Sequence, residues 1–380
     1  MKRLCIYVVY DIQQKINLYI QEVLREIKKY STDIIVVCNF EKIFSGEEYL
    51  KPYAKEILCR KNKGLDAGAY KDVMMNLLSR EYLESFDELI LANDTFFAPI
   101  FSFYEMFDVM TNYSCDFWGI TENSKGFSEI IGEYNSHIQS YFIVLKRSAL
   151  QSDAFRKFWE EYEPSDDKNE TIKNFEIGIN RCLENAGLRG ISYLRVTNKY
   201  DIDESENTNF YNKYAYELLH YLHIPIIKKA NFQGKNQYLI NSIKALRYIK
   251  ESTEYDERLI TSYIEEYQCK GLFGPYFDFK QLGIFVSKYN RIYVYGAGVW
   301  GNNIKDYFEL MGWSIEAFLV TDLADKKIMI RDAKLFSDVK IAKTDGVIIA
   351  QEKEEVCNII KQYIGEYVGM EQIFTPKYPK

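Results

Sequence analysis

Asn62, Gly64, Asp66 and Gly68 fall close together in KNKGLDAGAYKDVM, residues 61 to 74, directly after a short apolar run. An amide, a carboxylate and two glycines at a strand-to-helix turn let backbone N–H groups approach a phosphate or a ribose, and Asp66 can cap the helix. An ordinary capped helix start uses the same residue types. A second group closes an apolar strand: LILANDTFFAP, 89 to 99, brings Asn93 and Asp94 to one edge of a sheet. There a carboxylate suits Mg²⁺ or Mn²⁺ held against a diphosphate, with Asp94 as the ligand. A strand that merely ends in an Asn-Asp turn reads the same way.

Further along, DFWGITENSKGFSEIIGEYNSHIQSYFIVLKRSAL, 116 to 150, supplies Trp118, His137, Gln139 and Tyr141. Aromatic faces and neutral donors of this kind recognise sugar hydroxyls and apolar ring faces. A histidine among aromatics also serves as a structural residue. In NFEIGINRCLENAG, 174 to 187, Glu176 stands near the expected start of a helix, where it could act as a general base or simply complement the helix dipole. Lys228 and Lys229 follow LHIPII and could add positive charge toward a diphosphate or a lipid-linked acceptor; a solvated strand end is the alternative.

The elements that must position these residues alternate. Strand-like LCIYVVY (4 to 10) runs into Asp11, a helical stretch spans about 16 to 30, and DIIVVCNF (33 to 40) carries Asn39 near its end. A short strand near 56 to 59, a helix from about 69 to 79 and ELILAND (88 to 94) follow. Continuous apolar strands between amphipathic helices predict an α/β fold with a parallel sheet covered on both faces and ligands at the carboxyl ends of its strands. Residues 1–235 are expected to form one domain, less regular after position 95. Residues 236–285, charged and largely helical, read as a connector, and 286–380 as a small Rossmann-like α/β domain. In that last part Gly296, Gly298 and Gly301 follow a strand and open a helix, and Asp322 closes the next strand, the pattern of a turn that binds a nucleotide or dinucleotide. The segment is short for a complete dinucleotide fold, so a half-Rossmann module for a nucleotide or an assembly partner is expected.

With 380 residues, 47% of them hydrophobic and 27% charged, the chain is long enough for a sizeable core. A net charge of -7 and the lack of a dense basic run argue against nucleic acid as a partner. The 7 cysteines fall singly, as expected of reduced thiols in the cytosol. The opening apolar run stops at Asp11 without a cleavage signature, and no stretch is long and apolar enough to cross a bilayer, so any membrane contact is expected to be peripheral.

The order NKGLDAGAYK, ELILANDTFFAPI, DFWGIT, HIQSYFIVLKRSAL, FEIGI and LHIPIIKKANF resembles the rhamnan synthesis protein F family, glycosyltransferases of bacterial cell-surface polysaccharide assembly, over roughly 1 to 235. The resemblance implies a GT-A-like nucleotide-sugar fold that transfers L-rhamnose or a related deoxysugar from a dTDP donor to a growing glycan or lipid-linked glycan at the cytoplasmic face of the membrane. Carried over residue by residue, it makes Asp11, Asn39, Asn62, Gly64, Asp66 and Asn93 donor-binding residues and places Asp94 where GT-A enzymes keep an Asp-x-Asp metal motif. Asn93-Asp94 departs from that motif. Glu176 is similar in placement to the acid that deprotonates the acceptor in inverting enzymes. The alternatives are an NAD-dependent sugar-modifying oxidoreductase, suggested by the glycine turn at 296 to 301, and a non-catalytic sugar-nucleotide-binding scaffold.

Overall fold

The computed structural model describes residues 1–129, 131–198, 210–232, 239–267, 279–325 and 327–376. They divide into two compact units, Met1–Lys229 with Ala245–Tyr263, and Ala230–Lys244 with Ile264–Lys380.

The first unit is built on a mixed sheet with strands β1 (Arg3–Val9), β2 (Asp33–Cys38), β3 (Glu56–Cys59), β4 (Glu88–Asn93), β5 (Phe117–Gly119), β6 (Phe142–Lys146) and β7 (Gly190–Ser192). Their spatial order is β7-β5-β6-β4-β1-β2-β3. β1 pairs in parallel with β2 and β4, β2 with β3, and β7 with β5; β6 alone runs against its neighbours β4 and β5. The expectation of a parallel-rich α/β sheet holds. All seven residues of β1 are buried, as its unbroken apolar sequence requires of a strand covered on both faces.

Alternation along β1 sorts the two layers. Leu4, Ile6 and Val8 join a core with Ala67, Tyr70, Trp159, Phe175 and Ile179. The opposite face is covered by helix α1 (Leu18–Lys28), whose Tyr19, Ile20, Val23, Leu24 and Ile27 are buried at helical spacing.

Register decides where the chemistry-bearing residues go. Val9 stands opposite Cys38 and Val8 opposite Asn93, so Asp11, Asn39 and Asp94 emerge at one edge. The reversed strand β6 brings its start to that same edge, and the Asn93 amide donates to the Tyr141 carbonyl at 3.1 Å. After β3, Gly64 and Leu65 both adopt left-handed φ, at 75° and 53°, before helix α2 (Leu65–Lys71) begins. Opposite lies a helical run from Lys168 whose π-turn, Ile172–Glu176, leads into α3 (Ile177–Asn185).

The stretch expected as a connector holds α4 (Leu239–Ser252), α5 (Arg258–Glu266) and α6 (Phe279–Val286), with 236–238 and 268–278 outside the described residues. The second unit carries an all-parallel sheet of β8 (Arg291–Tyr295), β9 (Ala317–Val320), β10 (Lys334–Leu335), β11 (Asp345–Ile349) and β12 (Ile373–Phe374) in the order β10-β9-β8-β11-β12. Helix α7 (Val299–Met311) opens at the glycine turn after β8.

A Cβ on Gly64 would lie 2.3 Å from Pro164 Cβ, on top of the cost of a left-handed φ. Gly64→Ala is therefore expected to cost about 1–3 kcal/mol, read as a lower urea midpoint with an unchanged slope. An unaltered midpoint would show that this turn relaxes freely.

Candidate active site

The turn after β3 is fastened by one guanidinium. Arg60 donates to Asp72 Oδ2 at 2.8 Å, to Asn39 Oδ1 at 2.6 Å and to the Lys63 carbonyl at 2.7 Å, while Asn39 Nδ2 donates to the Leu65 carbonyl at 2.9 Å. Asn39 thus ties the end of β2 to the turn. Asp11 likewise accepts from the Gln13 amide at 2.7 Å and Asn17 Nδ2 at 3.1 Å, shaping the approach to α1. Asn62 Oδ1 is buried and has no partner among the described residues.

Asp66, in the first turn of α2, points to the same edge as Asn93, whose Nδ2 donates to Asp66 Oδ2 at 2.6 Å. Asn93 Oδ1 in turn accepts from the Thr95 hydroxyl at 2.7 Å. Burial pushes the Asp66 carboxyl above its ordinary range and Glu176 adds to that, against the pull of the Asn93 amide. Asp94, 7% exposed, is met differently: Lys229 Nζ donates to its Oδ2 at 2.7 Å and the Tyr19 hydroxyl at 3.2 Å. Lys229 also lies 4.8 Å from the ring centres of Tyr19 and of Tyr263.

Glu176 is the third acid of this edge. Its Oε2 accepts from the Ser140 amide at 2.7 Å and the Ser140 hydroxyl at 2.6 Å, and its Oε1 lies 3.4 Å from His137 Nε2. Burial alone would raise the Glu176 carboxyl, but His137 and Ser140 together hold it below its ordinary value. Burial acts on His137 in the opposite direction, and Glu176 outweighs it, so the imidazole titrates higher than usual. Asn180, one turn on from Glu176, pins the strand that carries His137: the Ile138 amide donates to Asn180 Oδ1 at 2.9 Å and Asn180 Nδ2 donates to the Ile138 carbonyl at 3.0 Å.

Beside them Thr121 Oγ1 hydrogen-bonds Tyr141 Oη and Gln139 Oε1. Lys228 Nζ stands 4.1 Å from the Tyr141 ring centre and 5.2 Å from that of Tyr211. Burial brings the Lys228 ammonium down to about 8, with Glu176 resisting the fall.

Two expectations need correcting. Trp118 is 1% exposed and packs against Phe107 and Phe142, because β5 is an interior strand; its indole faces the core and offers no sugar platform. Glu176 does not open a helix: the helical run starts at Lys168, and the π-turn, which widens the backbone by one residue, places Glu176 well inside it. Ser140, Asn180, Thr121, Tyr19 and Tyr211 were not anticipated. Asn180 had a local signal, four residues after Glu176 and so on the same helix face; the others contact the site only through tertiary pairing.

In the second unit the glycines serve packing. A Cβ on Gly301 would lie 2.1 Å from the Gly296 carbonyl oxygen and one on Gly296 2.6 Å from that of Ala350. The amides of Met329 and Ile330 donate to the Ala297 carbonyl, so the chain's own segment lies against the turn. A Cβ on Gly298 would be 3.1 Å from the Lys327 carbonyl oxygen, and exposed Asp322 accepts from the Ala324 amide at 2.8 Å.

The fold and the acid-lined edge define a mixed α/β, parallel-rich unit with a polar site at the carboxyl ends of its strands. The family model described as rhamnan synthesis protein F matches residues 34–341, and the chain belongs to that family. The match reaches into the second unit, beyond the limit near 235 that the sequence resemblance set. Among curated proteins, the chain is 28% identical over 162 residues to the uncharacterized protein y4gN of Sinorhizobium fredii, covering 42% of this chain and 40% of that one. It is 27% identical over 132 residues to the virulence protein VirA of Vibrio anguillarum, covering 34% and 39%. The matched stretch thus spans about two fifths of these relatives' length. A solved 4-diphosphocytidyl-2C-methyl-D-erythritol synthase overlaps at a TM-score of 0.33 with 11% identity, over 50% of this chain and 90% of that one, too loosely to carry residue roles across. No helix of the described residues is long and apolar enough to cross a membrane.

The His137–Glu176 pair fixes a pH window. A raised histidine contributes stability below its ordinary 6.5, lost as the pH climbs through the higher folded value. A lowered glutamate contributes above its ordinary 4.5, lost as the pH falls through the lower folded value. Both contributions are present together from 4.5 to 6.5. The stability difference between the native protein and Glu176→Gln, from urea midpoints across pH, is expected to peak in that window and shrink on either side; a flat difference would show the two groups uncoupled.

Proposed function

We propose that the protein is an inverting glycosyltransferase of polysaccharide assembly, which takes a sugar from a nucleoside-diphosphate donor, dTDP-L-rhamnose or a related deoxysugar nucleotide, and adds it to a growing glycan or lipid-linked glycan. Membership of the rhamnan synthesis protein F family supports a transferase of glycosyl or nucleotidyl type. The observation that carries the finer reading is the buried, oriented Glu176 carboxylate at the edge where Asp66, Asn93 and Lys228 converge.

In this reading Glu176 is the base. Ser140 and His137 keep it ionised at neutral pH, which makes it a weak base toward a resting hydroxyl. It takes the proton late, once the acceptor oxygen has begun to bond to the sugar carbon and its hydroxyl has become acidic. Meanwhile its negative charge favours the oxocarbenium-like sugar. The new carbon–oxygen bond forms as the bond to the diphosphate breaks, the proton goes to Glu176, and the nucleoside diphosphate leaves against positive charge. Asn62, Gly64, Asp66 and Asn93 are assigned to the donor, with Asp11 and Asn39 holding the turns that present them, and His137, Gln139 and Tyr141 to the acceptor side.

The division into 1–235, 236–285 and 286–380 is retained as the functional one: transferase, connector and appended α/β module. For that module, glycines spent on packing at Gly296 and Gly301 favour an assembly role over a nucleotide held by Gly298 and Asp322.

Glu176→Gln and Asp66→Asn are each expected to lower donor turnover by about 10²–10⁴-fold, measured as release of nucleoside diphosphate from dTDP-rhamnose with UDP-glucose as the comparison donor. Full turnover in a folded Glu176→Gln would end its assignment as the base. Release of rhamnose 1-phosphate in place of a nucleoside diphosphate would mean nucleotidyl transfer.

A further inference from the structure

A divalent cation at Asp94 is the expectation this structure fits least. Mg²⁺ and Mn²⁺ need a shell of oxygens at short range. Asp94 gives its Oδ2 to Lys229 Nζ at 2.7 Å and to the Tyr19 hydroxyl at 3.2 Å. Asn93, the other member of the pair, gives its Oδ1 to Thr95 and spends its Nδ2 on Asp66. No group of three or more His, Cys, Asp or Glu side chains among the described residues could hold a metal. A metal ion at that oxygen would have to displace an ammonium that is itself buried, leaving it uncompensated.

We propose that a lysine pair takes the place of that cation: Lys229 neutralises Asp94, and Lys228 presents positive charge to the donor diphosphate, which then binds without Mg²⁺ or Mn²⁺. The inference rests on the transferase reading above. The backbone sets both positions. Ile227–Lys228 pairs antiparallel with Phe96–Phe97, Lys228 standing opposite Phe96, and the Lys229 amide donates to the Thr95 carbonyl at 2.9 Å. The chain of Lys228 and Lys229 is therefore fixed to the residues that directly follow Asp94. Lys228 ends the strand and Lys229 opens a 3₁₀ turn, and their side chains leave in different directions. One lysine reaches back to Asp94 and the other enters the pocket of Tyr141 and Tyr211.

The Lys228 ammonium makes no hydrogen bond or ion pair among the described residues. Its ammonium meets the faces of two tyrosine rings, and the nearby Glu176 acts on it only at a distance. Rings attract a cation but cannot cancel its charge, so a part-buried ammonium in this state gains when an anion arrives. A diphosphate is the anion that the transferase reading brings to this edge, and the depressed proton affinity of Lys228 beside the two rings agrees with such a site.

The test is calorimetric titration of the whole chain with dTDP in EDTA and in Mn²⁺, with Mn²⁺ alone, and of the Lys228→Met and Asp94→Asn variants. The expected result is dTDP binding in EDTA within a few-fold of that in Mn²⁺, and no stoichiometric uptake of Mn²⁺ alone. Lys228→Met should weaken dTDP by about tenfold or more, the loss expected for one charge-assisted contact, in a protein that melts no lower than the native one. Binding of dTDP only with Mn²⁺, or one-to-one Mn²⁺ uptake that Asp94→Asn removes, would overturn the lysine pair and leave the transferase reading standing. If dTDP, UDP and GDP all fail to bind with or without Mn²⁺, the transferase reading falls and the lysine pair with it.

Discussion

A carboxylate taken out of water must find donors or give up its charge, and one edge of the first unit holds three: Asp66, Asp94 and Glu176. The surrounding structure follows from how each is met. Asp66 receives only neutral donors, the Asn93 side-chain amide and the Ala67 backbone N–H, and its carboxyl titrates high. Glu176 receives the Ser140 amide, the Ser140 hydroxyl and an imidazole, and titrates low. Asp94 receives a full ammonium. Three acids in one neighbourhood thus have three different characters, and the difference lies in the partners. Environments that push like groups apart in this way are what a site with separate tasks for its acids requires.

The partners come from distant parts of the chain, and two irregular features deliver them. The reversed strand β6 is the first. Were it parallel to its neighbours, Ser140 and Tyr141 would arrive at the opposite edge of the sheet, away from Asn93. The π-turn at Ile172–Glu176 is the second, since one extra residue in the turn rotates Glu176 relative to the face that buries Phe175 and Ile179. Asn180 then clasps the Ile138 backbone from both sides and fixes the distance between helix and strand. The acid's orientation therefore rests in large part on one side chain, that of Asn180, which also donates to the Glu176 carbonyl at 2.8 Å.

Much of this was legible in the sequence. Unbroken apolar runs such as LCIYVVY announce strands covered on both faces, and their ends announce the site edge, which is why Asn93, Asp94 and Asp66 could be named; Glu176 was named from an expected helix start and the family resemblance. The partners could not be named. Lys229 and Asp94 are separated by 135 positions, and His137 and Glu176 meet through a turn whose π geometry no residue pattern marks. Trp118 shows the opposite failure. A tryptophan beside Gly119 suits a sugar platform and an interior strand equally well, and the position of β5 between β6 and β7 decides for the core. The glycines at 296 and 301 repeat the lesson, because a nucleotide turn and a close backbone crossing ask for the same residue.

Positive charge at the site is distributed unevenly, and the unevenness bears on function. Lys229 is matched by Asp94 and adds almost no net field at the edge. Lys228 is left to the tyrosine rings, at a cost to the resting protein that packing does not require. Residues in such states persist where a ligand relieves them, and a fold trades some stability for readiness. Asp66 likewise bears a cost of burial, and its carboxyl titrates high. Glu176 stands at the other extreme: Ser140 and His137 meet its oxygens, and its carboxyl titrates low.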